Sequence, residues 1–156
     1  GVSLEALREV LPDVQLVQRF TGQGVAQVSP GQLLRHYAPR ARMTLFEGES
    51  RAVRARVIAD TRALLARGMR VGLLDPDEDL EALQLALVAD SPALALQRLG
   101  SRQDPDAIAR QLFDAIRRVD SARPDEIFAI GAGHDGIGLA IHDRLLRACE
   151  GRVIQV

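Results

Sequence analysis

The side chains best suited to chemistry gather in one short stretch, SPGQLLRHYAPR, from Ser29 to Arg40. It holds the only tyrosine, Tyr37, beside His36, one of three histidines, with Arg35 before them. A guanidinium, an imidazole and a phenol are donors suited to phosphate or carboxylate oxygens. The charge pattern agrees. No Asp or Glu lies between Asp13 and Glu47, whereas Arg19, Arg35, Arg40 and Arg42 do. Cations without a local counter-charge call for an anion from elsewhere. Pro30-Gly31 suits a type II turn, and Pro39 pushes Ala38 toward an extended form. The segment is therefore stiff, and in an extended chain His36 points away from Arg35 and Tyr37. On these residues alone two readings stand level: a strip serving an anion, or a loop laid on its own domain with Tyr37 covering the core.

A second candidate is GAGHDG, Gly131 to Gly136, which matches G-x-G-x-x-G between an expected strand and an expected helix. That context suits a pyrophosphate, and Gly131, Gly133, His134 and Gly136 form a possible anion turn. A dinucleotide site also needs an acid about twenty residues on. Here the sequence ends at Val156, just after the next expected strand, and the motif falls in the last strand-helix turn rather than the first. The sequence favours a tight turn that lets the helix pack closely on the sheet. His134 and His142 are eight apart with no cysteine or acidic cluster at metal-ligand spacing, so solvated helix ends are the expected home of both. Asp75 and Asp77 suggest the acidic pocket of a phosphorelay receiver, but that chemistry needs a lysine and this sequence has none.

These residues must be held by a domain of ordinary size. The 156 residues are 47% hydrophobic but only 3% aromatic, so the core is expected to be Leu, Val, Ile and Ala. The net charge of −1 leaves no global nucleic-acid footprint, and no direct nucleic-acid contact is expected. Cys149 is the lone cysteine and fits a reducing compartment, the cytoplasm. No apolar run reaches membrane-spanning length and no signal peptide is visible, so no membrane association is expected. The opening Gly-Val-Ser suggests processing or a longer parent.

Periodicity predicts the elements. Ser3 to Leu11 is a short helix with Leu4, Leu7 and Leu11 in one stripe, and VQLV after Asp13 is a candidate strand. Gln18 to Arg40 has no periodicity. Strands follow at RMTLFEG from Arg42, RVGLLD from Arg70 to Asp75, ALALQRLG after Pro92, EIFAI from Glu126 to Ile130, and the closing VIQV. Helices are expected at Arg51–Ala66, Asp77–Leu85, from Asp104-Pro105-Asp106 to Ser121, and Ile137–Cys149, although LQLALVAD could end in a strand. The alternation predicts an α/β fold, a Rossmann-like three-layer sandwich with a mostly parallel sheet, preceded by an extended linker.

SPGQLLRHYAPRA resembles the linker motif of the two-domain threonylcarbamoyl-adenylate synthases, in which Ser-Pro-Gly precedes His-Tyr-Ala-Pro by five residues or fewer. DPDAIARQLFDAIRRVDSARPDEIFA is similar to the family's penultimate helix and strand. GIGLAIHDRLLRAC is similar to its closing helix through Gly136, Gly138, Ala140, Ile141, Asp143, Arg144 and Leu145. The resemblance implies three parts: residues 1–17 as the tail of a YrdC-like catalytic domain, 18–41 as an interdomain linker, and 42–156 as an accessory α/β domain. It implies that the full protein makes threonylcarbamoyl-AMP and pyrophosphate from L-threonine, bicarbonate and ATP with magnesium, for a tRNA modification completed by downstream proteins. The implied partner is the YrdC-like domain of the same polypeptide. The implied nucleotide-proximal residues are Ser29, Pro30, Gly31, Arg35, His36, Tyr37, Ala38 and Pro39. No catalytic or metal-binding residue, and no cofactor, is expected in this chain alone. Some members carry Met-Lys-Tyr before Arg-His-Tyr, where this chain has Gln32-Leu33-Leu34. Two alternatives remain: a self-sufficient nucleotide- or regulator-binding module, and a dimerisation domain.

Overall fold

Each strand sends alternate side chains to opposite sides, so strands that are apolar throughout need cover on both faces. The computed structural model, which describes residues 4–13, 38–87, 91–133 and 135–156, supplies that cover. The elements are α1 (Leu4–Val10), β1 (Arg42–Glu47), α2 (Ser50–Ala66), β2 (Val71–Asp75), α3 (Asp77–Leu87), β3 (Leu94–Arg98), α4 (Pro105–Ser121), β4 (Glu126–Ile130), α5 (Ile137–Ala148) and β5 (Val153–Gln155). The VQLV segment lies outside the described residues; LQLAL continues α3, and the end of LQLALVAD, where a strand could follow, lies outside them too.

The five strands form one parallel sheet in the order β3-β2-β4-β1-β5. Flavodoxin-like receivers have the order 2-1-3-4-5, so the topology as well as the missing lysine excludes that fold. On one face, Met43, Leu45, Leu74, Ile127 and Ala129 pack under α4 and α5 with Leu112, Ile116, Ile141 and Leu145. On the other, Phe46, Val71, Leu73, Phe128 and Ile130 pack under α2 and α3 with Val53, Val57, Leu83 and Leu87. Phe46 and Phe128 meet edge to face, their centroids 5.1 Å apart.

Local chemistry sets the helix boundaries. Asp104 accepts from the Ala107 N–H at 2.9 Å, with Pro105 opening α4. Glu49 caps α2, accepting from the N–H groups of Arg51 and Ala52. Gly72 lets α4 lie close on the sheet: a Cβ there would come within 2.6 Å of Val119 Cγ2. Two members of the predicted stripe of α1, and Val10 beside them, lack cover. Leu7, Val10 and Leu11 are exposed, Val10 by 78%.

Candidate functional site

Strand direction decides where polar groups can converge. After β1 and β2 the chain turns toward α2 and α3, and after β4 it turns toward α5 on the other face. β4 lies between β2 and β1, so the loops part on either side of it. Parallel sheets open a crevice at such a switch point, outside the carboxyl ends of the strands. A cavity of about 190 Å³ is found there, lined by Phe46, Glu47, Gly48, Ser50, Val53, Arg102, Ile130, Gly131 and Gly133.

Two charged side chains dominate the lining. Glu47 ends β1 with its side chain only 10% exposed. Its Oε1 lies 2.8 Å from His142 Nδ1, and its Oε2 accepts from Gln155 Nε2 at 2.8 Å. Arg102 comes from the loop between β3 and α4. Its Nη2 donates to the Gly131 carbonyl at 3.0 Å and contacts Asp79. Its backbone N–H donates to Glu78 Oε1 at 3.0 Å. Burial acts to raise the Glu78 pKa, but donors from Ser101 and Arg102 outweigh it and hold the carboxyl below its ordinary range.

Behind this lining sits a buried acidic pair. Asp79 is fully buried and pairs with Arg54 Nη1 at 2.8 Å as well as with Arg102. Asp75 is also fully buried; its Oδ1 accepts from the Ile130 N–H at 3.0 Å, and its Oδ2 has no hydrogen-bond partner among the described residues. Burial, then the neighbouring Asp79 charge, push Asp75 well above the usual carboxylate range. Burial pushes the Cys149 thiol up to about 12, which makes it a poor nucleophile.

The predicted residues divide between two places. Gly131, Gly133 and Gly136 form the turn after β4, while His134 lies outside the described residues. Gly133 takes φ +115° and Gly136 φ +53°, and a Cβ on Gly138 would come within 3.1 Å of the Gly133 backbone. Gly136 leaves α5 without a side-chain cap. His142 does not sit at a solvated helix end as expected. It is largely buried against Glu47, because strand order brings the end of β1 beneath α5.

Of the linker residues, Ser29, Pro30, Gly31, Arg35, His36 and Tyr37 lie outside the described residues. Ala38 and Pro39 are half-buried and lead into the amino end of β1, at the opposite end of the strand from the crevice. There Asp120 Oδ1 accepts from the N–H groups of Arg40 and Ala41, each at 3.1 Å, and Oδ2 accepts from Arg40 Nε at 3.1 Å. Arg42 Nε faces Glu126 Oε1 at 3.8 Å. Two of the four arginines in the acid-free interval thus have internal partners, which corrects the expectation that all four await an outside anion. The compensating acids are far away in sequence and adjacent in the fold.

Neither Glu47 nor Arg102 stands out in the sequence. The one available signal was an acid ending an apolar strand, which Glu47 and Asp75 both show.

The family described as threonylcarbamoyl-AMP synthase, C-terminal domain, matches residues 2–149. This chain belongs to that family. It is 28% identical over 155 residues to a threonylcarbamoyl-AMP synthase of Bacillus subtilis, and 29% identical over 157 residues to one of Pyrococcus abyssi. Those alignments cover 99% and 100% of this chain but 41% and 42% of the relatives. The family domain therefore spans about two-fifths of the curated relatives it matches. Among solved structures it is similar to P. abyssi Sua5 complexed with L-threonine, with a TM-score of 0.81 and 29% identity over 100% of this chain and 42% of that one. It is also similar to a variant of that protein bearing adjacent His-to-Ala and Tyr-to-Ala changes, with a TM-score of 0.76 and 27% identity over 100% of this chain and 41% of the other. A C-terminal Sua5 domain from Pyrococcus horikoshii shares the fold, with a TM-score of 0.53 and 23% identity over 76% of this chain and all of its own.

Proposed function

We propose that this chain supplies the linker and accessory α/β domain of an L-threonylcarbamoyladenylate synthase. The observation that carries the reading is the C-terminal-domain match over residues 2–149 in a chain equal to two-fifths of its relatives. The catalytic portion would use L-threonine, bicarbonate and ATP with magnesium, release pyrophosphate, and pass its product to tRNA-modifying proteins. Residues 42–156 are the accessory domain, 18–41 the linker, and 1–17 the tail of the catalytic domain. Two features support these boundaries. The ties from Arg40 and Ala41 to Asp120 pin the chain where β1 begins. A seven-residue helix with an exposed apolar side, as in α1, is stable only against a partner.

In this reading Arg35 and Tyr37 contact phosphate or carboxylate groups of the nucleotide complex, and His36 orients the strip. Their part is to close the pocket and exclude water, with no proton transferred. The changed residues of the P. abyssi variant are an adjacent His and Tyr, and this linker carries the adjacent pair His36 and Tyr37. The crevice does not suit ATP. Its volume is below the roughly 300 Å³ at which pockets for drug-sized ligands begin, and Glu47 would oppose a phosphate. Among the described residues no group of three or more His, Cys, Asp or Glu is placed to hold a metal ion. No helix among them is long and apolar enough to cross a membrane.

The test restores the upstream portion and measures threonine-dependent pyrophosphate release. Arg35→Ala and Tyr37→Phe should lower it by on the order of ten- to a hundred-fold, the usual result of a misplaced closing group. Undiminished release by both variants would overturn the assignment.

A further inference from the structure

We infer that the amino end of the sheet, where Arg40 and Ala41 lead into β1, is a docking face for the phosphate backbone of RNA. The choice of RNA among polyanions rests on the proposed function; the face itself rests on where the charges lie. The net charge of −1 averages over a polarised molecule. Each helix after β1 runs back from the carboxyl end of a parallel strand, so first turns share one end of the sheet and last turns the other. Acids gather at the first end. Glu49 caps α2, Asp77, Glu78 and Asp79 open α3, and Asp104 and Asp106 open α4.

The amino end is cationic. Arg40 is matched there by Asp120, and Arg152 by Glu150. Among the described residues, Arg42, Arg67, Arg70, Arg118 and Arg123 then face only Asp125 and Glu126. Arg42 is 65% exposed beside Glu126. Arg67 and Arg123 are exposed and have no ion pair or side-chain hydrogen bond among the described residues. The strands β1, β4 and β2 are neighbours, so the chain at Arg42 and at Arg70 stands two strand spacings apart, about 10 Å. Arg67 extends the patch at the end of α2 on one face, and Arg118 and Arg123 extend it at the end of α4 on the other. Phosphates recur about every 3.4 Å along one nucleic-acid strand. A strand crossing this patch presents several at once, which a mononucleotide does not. Guanidinium forks suit phosphate oxygens.

Helix dipoles favour cations at last turns and account for Arg118. They do not account for Arg42 and Arg70 at strand starts, and α2 has no basic residue in its last turn. Arg123 goes further. It takes φ +53° directly after Ala122, the C-cap of α4, in the left-handed position where glycine is usual. Arg70 Nη2 donates to the Ala122 carbonyl, so the fold holds a second guanidinium one residue from Arg123. A strained backbone that carries an unpaired cation points to a task outside the fold.

The experiment is fluorescence anisotropy of a labelled RNA titrated with this 156-residue chain. Binding at low salt should be saturable with a Kd below about 100 μM, and log K should fall with log salt at a slope of roughly −2 to −4, as three to five neutralised phosphates require. Arg123→Gly should weaken binding about three-fold while leaving the melting temperature equal or higher, because glycine relieves the left-handed strain. The double variant Arg67→Ala/Arg123→Gly should weaken binding about ten-fold and flatten the salt slope by about 1.4. Arg51→Ala, at the acidic end, should change neither. With the upstream portion restored, the double variant should release pyrophosphate at the parental rate, so the docking face and the proposed function fail separately. The inference is overturned if RNA does not bind saturably, if the double variant binds as the parent does, if Arg51→Ala is equally damaging, or if equimolar ATP displaces the RNA.

Discussion

Asp75 carries the clearest residue-scale consequence. A buried carboxyl with one satisfied oxygen and an acidic neighbour is held above its ordinary pKa by lost hydration first and by the Asp79 charge second. The folded state then holds the proton more tightly than the unfolded state. Its stabilising contribution is complete below the ordinary carboxylate range and is lost as pH rises toward the folded value. Asp75→Asn keeps an acceptor for the Ile130 N–H and removes the charge. We expect it to be more stable than the parent at pH 8, by on the order of 1 kcal/mol or more, with the gap closing near pH 4. Urea titrations at the two pH values measure this, and a difference independent of pH would show that the proton plays no part.

At the scale of elements, the junction of linker and sheet rests on α4. Burial acts to raise the Asp120 pKa, but donors from Ala41 and Arg40 outweigh it and hold the carboxyl below its ordinary value. The sign is opposite to that of Asp75: the contribution is present above the ordinary carboxylate range and is lost as pH falls through the depressed value. Asp120→Ala should cost about 1–3 kcal/mol at pH 7, the usual worth of hydrogen bonds to a charged acceptor. The cost should fade in acid, and amide exchange at Ala41 should quicken. A variant with normal protection at Ala41 would mean that β1 holds the junction unaided. The same scale explains why two glycines behave differently. Gly72 faces Val119 under α4 with no room for a methyl, while Gly131 faces an open crevice.

At the scale of the whole molecule, the exposed side of α1 matters most. Val10 is 78% exposed, and Leu7 and Leu11 are exposed beside it. If α1 is the tail of a preceding domain, Val10→Asp should change the stability of this chain by no more than about 0.5 kcal/mol, as surface substitutions do. In the protein with its upstream portion restored, the same substitution should lower the melting temperature by several degrees. Equal effects in both contexts would place α1 with the accessory domain instead.

Much of this architecture was legible in the residues. Strands apolar on both sides required a covered parallel sheet, the Asp104-Pro105 cap announced α4, and Ser29 to Pro39 carried the family resemblance. These signals are local, because propensity, capping and motif act within a few residues. The crevice depends on Glu47, Arg102 and Gly131, which lie at the ends of different chain segments. Only the order β3-β2-β4-β1-β5 makes them neighbours. The same order placed His142 against Glu47 and supplied Asp120 and Glu126 to Arg40 and Arg42. The sequence by itself determined which segments become strands and helices, which residues cap them and which faces they bury. The tertiary structure alone decided which charges meet, because strand order follows from packing the whole chain at once and leaves no periodic trace in any one segment.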